Sequence, residues 1–209
     1  MDLHERLAAL GLRKGTAHLS PRPVFRPRRG PAIEELIAGA VVENEAGACF
    51  VAEERRPASY PHGRLPLRAF LELPPATLGQ LAREPARAGI DPRRILFVDT
   101  ETTGLAGGAG TYAFLIGVGY FSSEDTFVIR QFFMRDFGEE PALLRALVDE
   151  LGPFEAVASF NGKAFDLPLI ETRLALARLP FGLLGAPHYD LLFPARRLRG
   201  PPAHSLPWR

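Results

Sequence analysis

Cysteine, lysine and long apolar runs are scarce in this sequence of 209 residues. The single cysteine, Cys49, excludes a disulfide within the chain and is typical of a reducing compartment. No stretch reaches the roughly 18 apolar residues of a membrane-spanning helix. The N-terminus lacks the apolar core and the small-residue cleavage site of a signal peptide. We therefore expect a soluble, cytoplasmic protein.

The overall charge of the chain points to no particular partner. The formal net charge is +1, and the sequence pI is about 8.0, so no global basic field attracts nucleic acid. Lys14 and Lys163 are the only lysines, and the other basic residues are arginines. Any binding of nucleic acid must therefore depend on local patches and on metal ions. With 46% hydrophobic residues, the chain is long enough to bury a core.

The first 90 residues carry no metal-ligand spacing and divide into short parts. Leucines at helical spacing predict an amphipathic helix over residues 3–13. Four prolines and four arginines over residues 20–31 predict an extended linker, and residues 41–54 predict a hairpin. We expect three parts along the chain, namely an N-terminal helix and linker (1–31), an accessory segment with a hairpin (32–90) and a larger domain (91–209).

The larger domain shows the order β-β-β-α-β-α. Short turns between its first three strands predict an antiparallel meander, and the later helices predict crossovers in a mixed sheet. The fold class expected is therefore α/β. The predicted elements are strands over 95–101, 111–121 and 126–134, a helix over 139–151, a strand over 156–160 and a helix over 165–179.

Two carboxylates end the first of these strands, in the stretch FVDTETTG. Asp99 and Glu101 are two residues apart, so in a strand they point to the same face. Like charges side by side repel each other unless a cation joins them. A fold does not need such a pair, whereas a metal site does.

A third acid follows the fourth strand, in the stretch SFNGKAFDLP. Asp166 lies at the start of the predicted helix, where the helix dipole alone also favours an acid. Combined with Asp99 and Glu101, it completes a set that can hold two divalent cations roughly 3.5–4 Å apart, as in phosphodiester hydrolysis. Mg²⁺ and Mn²⁺ prefer oxygen ligands of this kind.

These two motifs resemble those of a known superfamily. ILFVDTETTGLAGGAGTYAFLIGVGYF and SFNGKAFDLPLIETR resemble the first two motifs of the DEDD 3′–5′ exonuclease branch of the ribonuclease H-like superfamily. QFFMRD and HYDLLFPARRLR resemble the YprB-type ribonuclease H-like domain. The resemblance implies a ribonuclease H-like fold. It also implies an enzyme that degrades single-stranded DNA or RNA from its 3′ end with two Mg²⁺ or Mn²⁺ ions.

The resemblance also implies roles for individual residues. Asp99 and Glu101 would bind both metal ions, and Asp166 would be the third acid. His188 and Asp190 form a candidate accessory pair, with Asp190 expected to bind substrate, although His188 also fits an ordinary surface position. The remaining substrate-binding positions implied are Thr102, Gly104, Leu105 and Asn161, the last of which is equally well explained as a turn residue.

The third motif of the exonuclease branch has no match in this sequence. There a fourth acid follows a tyrosine or histidine on a later helix, whereas the residues after Arg199 read GPPAHSLPWR. The resemblance therefore implies a domain that is incomplete at its C-terminus and has an impaired site. It would also leave an apolar sheet face for an oligomer or a partner chain to cover. The alternative is a non-catalytic module that binds nucleic acid or protein and retains the fold.

Overall fold

A computed structural model of the chain describes residues 31–82, 89–104 and 110–199. The helix predicted over residues 3–13 lies outside the described residues, as does nearly all of the predicted linker. None of the helices in the described part is long and apolar enough to cross a membrane.

The described residues form nine strands, namely β1 (Ala40–Asn44), β2 (Gly47–Pro57), β3 (Pro61–His62), β4 (Leu65–Pro66), β5 (Ile95–Thr102), β6 (Ala113–Phe121), β7 (Thr126–Phe133), β8 (Ala156–Ser159) and β9 (His188–Asp190). Seven of them form one mixed sheet in the order β1-β2-β7-β6-β5-β8-β9, and β3 and β4 form a separate ribbon. The helices are α1 (Ile33–Leu36), α2 (Pro75–Ala82), α3 (Glu140–Leu151), α4 (Asp166–Leu176) and α5 (Leu192–Arg199).

The predicted meander and crossovers are confirmed. β5, β6 and β7 pair antiparallel in sequence order. β8 then pairs parallel with β5, and β9 pairs parallel with β8. Parallel neighbours need a crossover connection, which α3 supplies before β8 and α4 supplies before β9. This topology places the C-terminal ends of β5, β8 and β9 side by side at one edge of the sheet.

The hairpin β1–β2 belongs to the same sheet. The sequence suggests an accessory segment over residues 32–90, and the structure adds that β2 pairs antiparallel with β7 from Phe50–Phe133 to Pro57–Thr126. Without this hairpin, β7 would present a row of unpaired backbone groups. β1 and β2 thus extend the sheet beyond β7.

The two faces of the sheet are covered by different helices. On one face, Leu96 and Val98 of β5 belong to a buried cluster with apolar residues of α3 and α4. On the other face, Ile95 and Tyr189 belong to a smaller cluster with Leu78 of α2. Since side chains alternate along a strand, even-numbered residues of β5 face α3 and α4, and odd-numbered residues face the side of α2. This alternation decides where each candidate site residue points.

Candidate active site

Asp99 and Glu101 lie at the C-terminal end of β5, in the middle of the sheet. Asp99 is opposite Gly117 of β6, and Glu101 is opposite Leu115, with an irregularity in register immediately after Glu101. Both side chains are exposed. Their odd-numbered positions put both carboxylates on the same face, the side on which α2 lies.

Asp166 reaches the same strand from the other side. It is the first residue of α4 and is almost fully buried. The hydroxyl of Thr100 donates a hydrogen bond to Asp166 Oδ1, with an Oγ1–Oδ1 distance of 2.5 Å. Thr100 stands between Asp99 and Glu101 and points to the opposite face. The third acid is therefore tied to the residue that separates the other two.

The structure brings two of the three predicted metal ligands together. Asp99 and Glu101 share a face, and their exposed oxygens suit a hard divalent cation. Across the described ranges, no group of three or more His, Cys, Asp or Glu side chains is placed to hold a metal ion. Asp166 is hydrogen-bonded to Thr100, which stands between Asp99 and Glu101. Its carboxylate nevertheless does not form a ligand group with theirs.

The backbone conformation and the packing of the turn between β8 and α4 restrict which residues it can contain. Asn161 has a φ of 70°, a left-handed conformation that asparagine tolerates better than most residues. A Cβ atom built on Gly162 would lie 2.4 Å from Ser159 Oγ and 3.2 Å from Asp166 Oδ2. Gly162 N also donates to Ser159 Oγ at 3.1 Å. This turn therefore needs a glycine and lies directly against the Asp166 carboxylate.

Asp190, at the end of β9, contacts the same turn. Its carboxylate is almost fully buried. Oδ1 accepts hydrogen bonds from Asn161 N at 2.7 Å and from Leu192 N at 3.1 Å, and Oδ2 accepts one from Lys163 N at 3.1 Å. Both oxygens are thus engaged by backbone N–H groups. The predicted contact of Asp190 with substrate stays a prediction.

His188 is half-buried at the start of β9. Its Nε2 atom lies 2.7 Å from Ser159 Oγ, the atom that also accepts the bond from Gly162 N. β9 pairs in parallel with β8, with Asp190 opposite Ser159. His188 is two residues before Asp190, so its side chain lies on the same face of the sheet as that of Ser159. His188 and Asp190 therefore both contact the segment that leads to Asp166.

The predicted substrate-binding residues after β5 are described only in part. Thr102 Oγ1 donates to Gly104 O at 3.1 Å, and Leu105 lies outside the described residues. Thr103 and Tyr112 exchange two bonds, because Thr103 N donates to Tyr112 O at 3.0 Å and Tyr112 N donates to Thr103 Oγ1 at 3.1 Å. The chain that follows the metal-ligand candidates is thus anchored at Tyr112.

Arg173 of α4 links this anchor to α3. Its guanidinium donates to both oxygens of Glu140 at 2.5 Å each and lies 4.0 Å from the centre of the Tyr112 ring. Both side chains of the ion pair are largely buried, and hydrogen bonding to Glu140 raises the pKa of Arg173 further. Such bidentate, stacked geometry is specific to arginine. The clamp therefore fixes α4, which carries Asp166, relative to Tyr112.

An open groove of about 540 Å³ lies on the face that carries Asp99. Gly117 and Gly119 contribute no side chains to its lining, which is otherwise mainly apolar. Phe160 borders this groove and is 61% exposed. Sequence reasoning missed Thr100, Ser159 and Phe160. Thr100 and Phe160 are adjacent in sequence to residues that it selected, whereas Ser159 meets a selected residue, Asp190, only across the β8–β9 pair.

Comparison with known proteins agrees with this architecture. Residues 96–205 match the family RNase_H_2, described as RNase_H superfamily. The chain is also 38% identical over 160 residues to the Bacillus subtilis (strain 168) protein named Uncharacterized protein YprB. That alignment covers 72% of this chain and 36% of the relative, so the chain spans about a third of the relative's length. Together with the seven-stranded mixed sheet, these matches show that the chain belongs to the ribonuclease H superfamily, with a YprB-type ribonuclease H-like domain.

Proposed function

We propose that this chain is a metal-dependent 3′–5′ exonuclease that hydrolyses single-stranded nucleic acid. One observation carries the proposal. Asp99 and Glu101 project, both exposed, from the same face of β5, an interior strand of a ribonuclease H-type sheet, and Asp99 lines an open groove. Two such carboxylates have no role in packing the core, and their oxygens are suited to Mg²⁺ or Mn²⁺.

The residues that would hold the metal ions are Asp99 and Glu101, with Asp166 as the third acid. Divalent cations held there would supply an activated water and neutralise charge on the phosphate. The protein contributes by holding the three carboxylates in position. β5 fixes the spacing of Asp99 and Glu101, and the bond to Thr100 keeps Asp166 at the same strand. Asp166 Oδ1 accepts the bond from Thr100, so that oxygen would have to leave Thr100 before it could bind a cation.

The aromatic residues near the acids support a single-stranded substrate. Phe160 and Phe165 flank the turn before Asp166, and their side chains are 61% and 57% exposed. Exposed aromatic rings bind unstacked bases, and each stack contributes about 1–3 kcal/mol. Bases within a duplex do not present their faces in this way. We therefore infer that a frayed or single-stranded end is bound, of either DNA or RNA.

A non-catalytic nucleic-acid-binding module is the second candidate function. It is favoured by the state of Asp166, whose carboxylate is buried and bonded to Thr100 instead of being grouped with Asp99 and Glu101. Such a module would still bind bases through Phe160 and Phe165 but would not hydrolyse the nucleic acid. Cover of an exposed apolar sheet face by an oligomer or a partner chain stays a prediction from the sequence.

The test is degradation of a 5′-labelled single-stranded oligonucleotide with Mn²⁺ or Mg²⁺. Native protein should produce a 3′-to-5′ ladder that is lost on adding a chelator. Asp99→Asn should abolish the ladder because it removes a ligand charge. Asp91→Asn is the matched control, since Asp91 lies at the opposite end of β5. Binding of the oligonucleotide without hydrolysis would support the non-catalytic module instead.

A further inference from the structure

The Asp190 carboxylate joins three backbone N–H groups that come from two separate segments. Asn161 and Lys163 belong to the turn before α4, and Leu192 begins α5. Asp190 is only 6% exposed. Hydrogen bonds to an ionised carboxylate are shorter and roughly twice as strong as neutral ones. The carboxylate thus serves as a fixed point for the turn.

The turn that Asp190 holds is in direct contact with the third acid. A Cβ built on Gly162 would lie 3.2 Å from Asp166 Oδ2, so the turn passes the carboxylate at a distance that leaves no room for an added methyl group. Leu167 N also donates to Gly162 O at 3.0 Å, so the first turn of α4 is bonded to it. Any displacement of the turn would therefore displace Asp166 relative to Thr100.

We propose that Asp190 is a positioning residue of the metal site, which acts on Asp166 through the backbone of the β8–α4 turn. This inference rests on the proposed function. It differs from the sequence prediction that Asp190 binds substrate, because both carboxylate oxygens already accept backbone bonds. Residues that orient a metal ligand from behind typically change metal affinity or activity by 10–100-fold when they are altered.

Asp190→Asn tests the proposal with little change in shape. The amide oxygen can keep the two bonds made by Oδ1, but the amide NH₂ would then face Lys163 N–H, donor against donor. The matched control is Asp91→Asn, because Asp91 also accepts a backbone bond, from Arg93 N at 2.9 Å. If Asp190→Asn does not fold, Asp190→Glu keeps the charge and shifts the oxygens by one methylene group.

Four quantities are measured on the full chain, namely Mn²⁺ binding by electron paramagnetic resonance without oligonucleotide, kcat and KM with oligonucleotide, and Tm. We expect Asp190→Asn to weaken Mn²⁺ binding or lower kcat by 10–100-fold with KM unchanged, and Asp91→Asn to leave both at the native values. A raised KM with native Mn²⁺ affinity would overturn the proposal in favour of substrate contact. A lowered Tm with native Mn²⁺ affinity and kcat would overturn it in favour of a purely structural role.

The failure of the proposed function would look different. In that case the native protein itself would neither bind Mn²⁺ nor hydrolyse the oligonucleotide, and the positioning role would fall with it. A native protein that binds Mn²⁺, with an Asp190→Asn variant that matches it in every readout, would overturn the positioning role alone.

Discussion

Replacing Gly162 by alanine adds a single methyl group at the most crowded point of the candidate site. The new Cβ would lie 2.4 Å from Ser159 Oγ and 2.7 Å from Ser159 Cβ, both well inside van der Waals contact. Because Ser159 Cβ is fixed by the backbone of β8, rotating the serine hydroxyl away cannot remove the clash. The turn itself has to move.

The expected cost follows from two contributions. Adding a methyl group to a tightly packed site typically costs about 1–3 kcal/mol. Loss of the bond from Gly162 N to Ser159 Oγ adds about 0.5–1.5 kcal/mol. We therefore expect Gly162→Ala to lower the free energy of unfolding by about 2–4 kcal/mol. For a chain of this size, that lowers Tm by roughly 5–15 °C.

Thermal and urea unfolding of the variant measure this cost, with Gly152→Ala as the matched control. Gly152 has φ −55° and ψ −40°, and a Cβ built there meets no atom within 4 Å. The same substitution should stabilise the protein there by about 0.4–1 kcal/mol, because alanine restricts the unfolded chain. The two alanine variants should therefore shift Tm in opposite directions.

A second substitution, at Ser159, tests whether the steric clash is what destabilises Gly162→Ala. Ser159→Gly removes the two Ser159 atoms that the new methyl group would meet and leaves Asp166 Oδ2 at 3.2 Å, so Gly162→Ala should cost less stability in a Ser159→Gly background than in the native chain. Ser159→Ala should reduce the cost less, since it leaves the Cβ atom in place. A Gly162→Ala protein as stable as the native chain would refute the reasoning about this turn.

Two further predictions concern binding and pH. Phe160→Ala should weaken binding of a single-stranded oligonucleotide by about 1–3 kcal/mol, measured by fluorescence anisotropy, and leave binding of an oligonucleotide with an abasic 3′ end unchanged; equal losses with both ligands would contradict base stacking. Tyr120 has its pKa raised to about 12, first by burial and then by its hydrogen bond to Glu150. Stability that depends on its neutral form is therefore fully present below the ordinary pKa of about 10 and is lost as pH rises towards 12. Absorbance titration should show this late ionisation, and Tyr120→Phe should remove it; a Tyr120→Phe variant that instead loses an ionisation near pH 10 would contradict the assignment.

The meander was predictable because its information is local. β5, β6 and β7 are runs of apolar and β-branched residues that follow one another along the chain, and only residues 122–125 separate β6 from β7. Such runs pair with their neighbours in sequence. The pairing of β2 with β7 was not predictable in the same way. It pairs Phe50 with Phe133, which are far apart in the sequence, and no local pattern encodes that register.

The candidate site was likewise predictable from the sequence only in part. The shared face of Asp99 and Glu101 follows from the two-residue period of a strand, so the sequence alone predicts it. The contact between Thr100 and Asp166 depends on how α4 packs against β5, which is a tertiary property. The position of Asp190 depends on the parallel register of β9 with β8. Side-chain roles that arise between elements were thus beyond the sequence argument.

The most direct test of the account is X-ray diffraction from crystals soaked in Mn²⁺, with the anomalous signal used to locate the metal. The account predicts Mn²⁺ bound to the carboxylates of both Asp99 and Glu101, with Asp166 turned from Thr100 towards the metal. The same peaks should be lost in Asp99→Asn. Hydrolysis of the oligonucleotide by crystals or protein in which Mn²⁺ binds elsewhere, and not at Asp99 and Glu101, would contradict it.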